Sequence, residues 1–348
     1  MVIVYIIIVL CMLFGAHFCD NIADYIGIKQ SSMIKGFFVL LVFASHLWQY
    51  ISPFVAPDKI TTKAFVFIAG ALGQLIVVPF LFYSGYGVRV SFDKKGINYL
   101  NSFPRKRILK TYARVLSILV VFLLAQITLG VRYSIQKVLK ALVLWDSFGN
   151  SNWYLFTILV MYVGTYALYQ LFSDVKKANN VMLAFVLIYM FGMSYAKQSW
   201  WYNTALCYWL GLVYPDVKKL MEDIATKKWS YWGILITLSL FMIILHSVGI
   251  ANAFLNGVLY NIKSIAFMLL ILLFSMRFAI GNRVLSWCGD HVFEVYLLQR
   301  LPMIVFYGLG VAEISILLWL MLCVFGTILL SIGYQKLFLL VDGVLTRI

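Results

Sequence analysis

Charge is what this chain most lacks. Only 12% of its 348 residues are charged and only 13 are acidic, against 63% hydrophobic and a mean hydropathy of +0.93. A water-soluble domain is about half apolar and about a quarter charged, so an ordinary globule is excluded. Cysteine supplies no framework either. Cys11, Cys19, Cys207, Cys288 and Cys323 are odd in number and show neither CxxC nor Cys/His ligand spacing. They read as small buried apolar residues, with no disulfide scaffold and no metal site. No loop between apolar runs exceeds about 25 residues, and there is no low-complexity tract or internal repeat, so nothing folds separately. The apolar runs are continuous rather than alternating, which excludes a β-barrel. The opening MVIVYIIIVLCMLFGAHFCD has the length of a signal peptide but lacks a basic n-region and a small-x-small cleavage site, and it reads as a retained first helix.

What is present is hydrocarbon. A spanning helix needs about 20 mostly apolar residues, and eleven such segments follow one another, at roughly 1–19, 34–52, 64–86, 111–131, 152–173, 179–196, 199–214, 231–249, 258–280, 288–310 and 313–340. The expected fold is an all-α, polytopic transmembrane bundle of about eleven helices. The stretch 132–151, RYSIQKVLKALVLWDSFGN, reads as an amphipathic interfacial helix. A formal charge of +15 would suit nucleic acid on a soluble face. Here the basic residues gather between apolar segments, where they encode orientation, so the partner is the lipid bilayer and not a nucleic acid. With the N-terminus outside, twenty of the 28 basic residues fall on the cytoplasmic side. Lys59, Lys63, Arg132, Lys137, Lys140 and Lys197 fall outside, and Lys263 and Arg300 fall within spans. The predicted topology is N-terminus out, C-terminus in.

An ionisable residue inside the hydrocarbon is costly and marks a functional site by default. His17 and His291 lie at cytoplasmic span ends and His246 near an outer end, but His46, in LVFASHLWQY, sits deep within a span. Lys35 begins the same helix eleven residues earlier. Eleven residues at 100° each are three turns plus 20°, so the two side chains share a face, roughly 16 Å apart along the axis. The bland alternative is a snorkelling lysine and a histidine bonded to a neighbouring helix. The third span ends in VVPFLFYSGYGVRVSF, where Pro79, Gly85 and Gly87 predict a broken helix end with free backbone N–H groups beside Ser84. Arg89, Lys94, Lys95, Arg105, Lys106, Arg107, Lys110 and Arg114 follow, anchoring the loop and attracting any phosphorylated donor.

A basic residue, ten intervening positions and a histidine, then Ser84-Gly85-Tyr86 and a basic loop, resemble the acyltransferase-3 family of bacterial membrane O-acyltransferases. The NWYLF from Asn152, containing Trp153, and VFEVYLLQRLP from Val292 are further, weaker matches, and the resemblance covers roughly residues 30–340. It implies a membrane domain over 31–348, with residues 1–30 as an additional helix and short cytoplasmic loop, in the bacterial cytoplasmic membrane. It implies transfer of an acyl group, usually acetyl from acetyl-CoA as co-substrate with no bound cofactor, to a hydroxyl of a surface glycan. His46 is then the essential residue with Lys35 in the active site. Ser84, Gly85, Tyr86, Arg89, Arg105 and Arg107 receive acyl-CoA. By depth along their spans, Arg300 and Lys263 lie level with His46 as candidates for the oxyanion, for an acidic glycan or for pairing with Glu294. Trp153, Tyr296 and Gln299 complete the acceptor layer. The chain departs from the family pattern at Lys35, where arginine is commoner, at Tyr86, where phenylalanine is common, and at Gln299, where a histidine often follows Tyr-Leu. Gln299 is therefore not assigned to acid–base work.

Two other classes fit the composition. A transporter or flippase of a lipid-linked or polymeric glycan also wants cations and aromatics in mid-membrane, but no inverted repeat with paired broken helices is visible. A glycan polymerase would bring a large outer loop, and none is present.

Overall fold

The computed structural model describes residues 1–19, 24–57 and 59–345. Arg347 and residues 20–23 of the expected first loop lie outside that range. The described chain is all-α apart from one two-residue strand pair, and eight of its helices are long and apolar enough to cross a membrane. It is a multi-pass membrane protein.

Helix α1 (Val2–Leu13) lies along α2 (Ile28–Ile51), with Tyr5 stacked at 5.0 Å on Phe65 of α3 (Ile60–Leu72). After α1, strand β1 (His17–Phe18) pairs antiparallel with β2 (Phe278–Ala279), which ties the N-terminal segment to the rest of the bundle. The 24 residues of α2 are its central post: 72% of its most apolar window is buried inside the protein. This explains its modest hydropathy, because a helix shielded from lipid can carry Gln30, Ser31, Ser32 and His46 on buried positions.

A 3₁₀ turn, Gly73–Val77, joins α3 to α4 (Val78–Lys95). The helix break expected at residues 84–87 therefore lies about three turns earlier in the chain, at Gly73, whose φ of +44° is disfavoured for any residue with a Cβ. Pro79 sits in the first turn of α4, where its missing N–H has no intrahelical partner to lose. Gly85 has another purpose. It faces Gly211 of α10 (Leu206–Thr226), and a Cβ on Gly85 would stand 2.1 Å from the Tyr208 carbonyl oxygen. The glycines let the two backbones cross in contact.

The basic loop is largely helical: α5 (Ile97–Phe103) passes through a π turn, Pro104–Leu109, into α6 (Lys110–Thr128). Within 132–151 only α7 (Ile135–Leu142) is helical, started by a Ser134 side-chain cap, and the remainder folds back as a loop. Helices α8 (Asn152–Leu171), α9 (Val175–Ala196), α11 (Lys228–Ser247) and α12 (Ala253–Arg277) follow as regular spans. Only 6% of the apolar window of α11 is buried, so its Ile236, Leu240 and Ile243 meet lipid.

Three of the eleven expected spans depart from that form. At 12 residues, α1 is about 18 Å long, short of a ~30 Å hydrocarbon core. Helix α10 contains Pro215 and ends in charged residues. The segment expected at 288–310 is broken into α13 (Arg283–Asp290), α14 (Val292–Leu298) and α15 (Arg300–Gly308). Gly36 of α2 and Gly289 of α13 again let backbones touch. After the short α16 (Val311–Ile314), α17 (Ile316–Leu345) packs Trp319 and Cys323 against Leu47 and Ile51 of α2.

Candidate active site

The broken helices and the 3₁₀ turn converge on a cavity of about 700 Å³. His46 lies in its wall, 9% exposed. Around it stand Gln49 from α2, Gln74 from the turn, Trp145, Asp146, Asn150 and Ser151 from the loop before α8, Trp153, and Lys197, Trp200 and Trp201 from the connection after α9. Tyr296 and Arg300 come from the broken segment. Amides, hydroxyls and four tryptophans lining one space suit a polyhydroxylated ligand, whose C–H faces stack on rings while its hydroxyls exchange hydrogen bonds.

Each polar side chain has a structural reason for its position. The loop Trp145–Ser151 is tied by its own asparagines: Asn150 accepts from the Phe148 amide at 3.2 Å and donates to Asn152, which donates to the Asp146 carbonyl. Leu144 at φ +60° turns the chain into this loop. Lys197 donates to the Trp145 carbonyl at 2.6 Å and lies over the rings of Trp145 and Trp201 at 4.2 and 4.5 Å. Burial lowers its ammonium below the usual lysine value, opposed in part by the charge of Asp146. The Ser151 hydroxyl lies 3.4 Å from His46 Nε2. Two buried nitrogens in the same region, His46 Nδ1 and Arg300 Nε, have no hydrogen-bond partner among the described residues. Arg300 is also the fixed charge that acts on His46.

Below the cavity, Tyr296, Tyr154 and Phe80 form an aromatic layer, with centroids 5.2 Å apart for the tyrosine pair and 6.3 and 6.5 Å from Phe80 to each. Ser84 meets Tyr154 at this layer. At the other end of α2, half-buried Lys35 is flanked by the charges of Asp290 and Arg107. Arg107, on the π turn, neighbours Tyr99, Tyr162 and Tyr208. One helix thus carries a basic mouth at one end and His46 in a tryptophan-lined cavity toward the other.

A family model for an acyltransferase domain, Acyl_transf_3, matches residues 28–335. The chain belongs to the acyltransferase-3 family. It is therefore a membrane acyltransferase, as the Lys35/His46 spacing and Ser84-Gly85-Tyr86 led one to expect. No curated protein and no solved structure matches it.

Within this acyltransferase the expected site residues separate into groups. His46, Trp153, Tyr296 and Arg300 line one cavity. Lys35 and Arg107 share the basic mouth, while Arg105 is exposed on the outside of the π turn. Tyr86 stacks on Phe82 beside Tyr214. Four of the expected site residues have other surroundings. Arg89 is 7% exposed and holds Asp216 with two bonds of 2.8 Å, besides Asp93 at 2.9 Å, so its guanidinium joins α4 to α10. Lys263 bonds His246 Nδ1 at 3.1 Å away from the cavity lining. Glu294 is taken by Arg114, not by Arg300 or Lys263. Gln299 is fully buried, bonded to the Tyr296 carbonyl at 3.3 Å, and does not line the cavity. Sequence reading missed Ser151, Asn150, Asn152, Trp145 and Lys197. The tryptophans and the Ser-Asn run ahead of NWYLF were their only signal, and they were absorbed into the amphipathic-helix reading.

Proposed function

We propose that this acyltransferase moves an acyl group, acetyl in the simplest case, from acyl-CoA bound at the basic mouth to a sugar hydroxyl in the tryptophan-lined cavity. The observation that carries this reading is the single helix α2, which presents Lys35 beside Arg107 at one end and His46 beside Arg300 toward the other. The basic mouth provides charge for the phosphates of a nucleotide donor. In the cavity, a neutral imidazole takes the proton of an attacking hydroxyl, and the Arg300 guanidinium, whose Nε–H has no partner among the described residues, supplies a donor for the oxyanion. With the N-terminus outside a bacterial cytoplasmic membrane, the basic mouth faces the cytoplasm and the cavity opens toward the envelope, where surface glycan or its lipid-linked precursor is found.

Proteoliposomes test it. Purified protein, with labelled acetyl-CoA supplied on one face and an oligosaccharide acceptor on the other, is expected to yield acetylated sugar and free CoA. A glycan transporter would move the oligosaccharide and leave acetyl-CoA intact, and that outcome would end the acyl-transfer reading.

A further inference from the structure

Ser151 occupies the N-cap of α8, a position where serine ordinarily turns its hydroxyl onto the first-turn amides of the helix. Here it makes no such cap bond. Its hydroxyl instead lies 3.4 Å from His46 Nε2, within the cavity lining, on a residue only 7% exposed. The Tyr296 hydroxyl neighbours it without completing a hydrogen bond. Its backbone, at φ −91° and ψ 77°, lies outside the helical basin and is held by the Asn150–Asn152–Asp146 ties. The first-turn amides of α8 are left without a side-chain cap, and Arg300 Nε stands unpartnered near the same histidine. A buried hydroxyl turned from its helix to an imidazole, with amide and guanidinium donors beside it, is the arrangement of an activated nucleophile.

We propose, on the basis of the acyl-transfer reading above, that Ser151 carries the acyl group as a covalent ester between two half-reactions. In the first, the Ser151 oxygen attacks the thioester carbonyl, the C–S bond breaks, and His46 Nε2 takes the hydroxyl proton and delivers it to the departing CoA sulfur. In the second, the acceptor hydroxyl attacks the ester carbonyl. His46 takes that proton and returns it to the Ser151 oxygen as the bond between that oxygen and the acyl carbon breaks. Nε2 accepts in both steps, so the imidazole proton resides on Nδ1. Donor and acceptor then need not occupy the protein together.

The experiment supplies radiolabelled acetyl-CoA to the purified full-length protein without acceptor. Expected is up to one acetyl per chain, located on Ser151 by peptide mass spectrometry and chased off by added acceptor oligosaccharide. Ser151→Ala is expected to lose both label and transfer. Ser151→Cys, which keeps size and a nucleophile, is expected to trap a thioester cleaved by neutral hydroxylamine. Transfer at near wild-type rate by a folded Ser151→Ala protein, or label on another residue, would overturn the carrier while leaving acyl transfer standing. Should wild-type protein consume no acetyl-CoA even with acceptor, the carrier and the proposed function would fall together.

Discussion

Under the proposed function the decisive property of His46 is proton acceptance, which a hydrogen-bonding amide in its place would lack. His46→Gln keeps a polar group beside Ser151 yet cannot become cationic. It is expected to cut transfer by about 10²-fold or more, as His46→Ala does. Unchanged turnover in a stably folded His46→Gln protein would reduce the histidine to a packing residue. At the basic mouth, Lys35→Arg retains a cation between Asp290 and Arg107 and should preserve activity, whereas Lys35→Met should abolish it. The two arginines either side of α5 separate donor binding from stability. Arg107→Ala is expected to raise the KM for acetyl-CoA, more so at low salt, where an unscreened cation contributes most. Arg89→Met removes both bonds to partly exposed Asp216 and with them the tie between α4 and α10. Its signature should be a lowered Tm with acetyl-CoA KM unchanged among the molecules that fold. The i, i+4 bond from Arg89 to Asp93 was legible along the sequence, but Asp216, on another helix, was not.

Among the elements, the α4–α10 crossing and the loop before α8 divide structural from chemical duties within one motif. Gly85 of Ser84-Gly85-Tyr86 serves contact between helices. Gly85→Leu would press a side chain onto the Tyr208 carbonyl, and overpacking of this kind costs typically about 1–3 kcal/mol. A depressed Tm is expected for Gly85→Leu, while Ser84→Ala, beside Tyr154, should keep its Tm and change only kinetics. Equal thermal stability of the Gly85→Leu and wild-type proteins would place that glycine in substrate binding instead. The loop 143–151 escaped periodicity because its position depends on asparagine side chains bonding nearby backbone, a short-range geometry with no helical repeat.

For the whole molecule, the proposed orientation rests on where lysine and arginine were left. Single cysteines introduced at positions 94 and 137, in a background lacking reactive thiols, should label from opposite faces of intact membrane vesicles. Labelling of both from the same face would reject the N-terminus-outside arrangement and, with it, a donor arriving from the cytoplasm. The shielded α2 and the lipid-exposed α11 show why hydropathy alone ranks helices poorly by importance. A window mean of 1.4 against 1.6 barely distinguishes them, yet 72% of one window is buried and 6% of the other.

By itself the sequence determined the class, eight of the eleven expected spans and the family, because each is written in local quantities. Apolar run length against bilayer thickness, the eleven-residue interval from Lys35 to His46 and the Ser84-Gly85-Tyr86 triplet need no knowledge of neighbours. Only the tertiary structure decided which cations are free and which histidine neighbour matters. Arg89, Lys263 and Glu294 are paired with Asp216, His246 and Arg114, partners far away in the chain or on other helices. Ser151 was brought to His46 across 105 positions of sequence. A buried charge is costly until it is paired, and pairing is settled where helices meet rather than where residues follow one another.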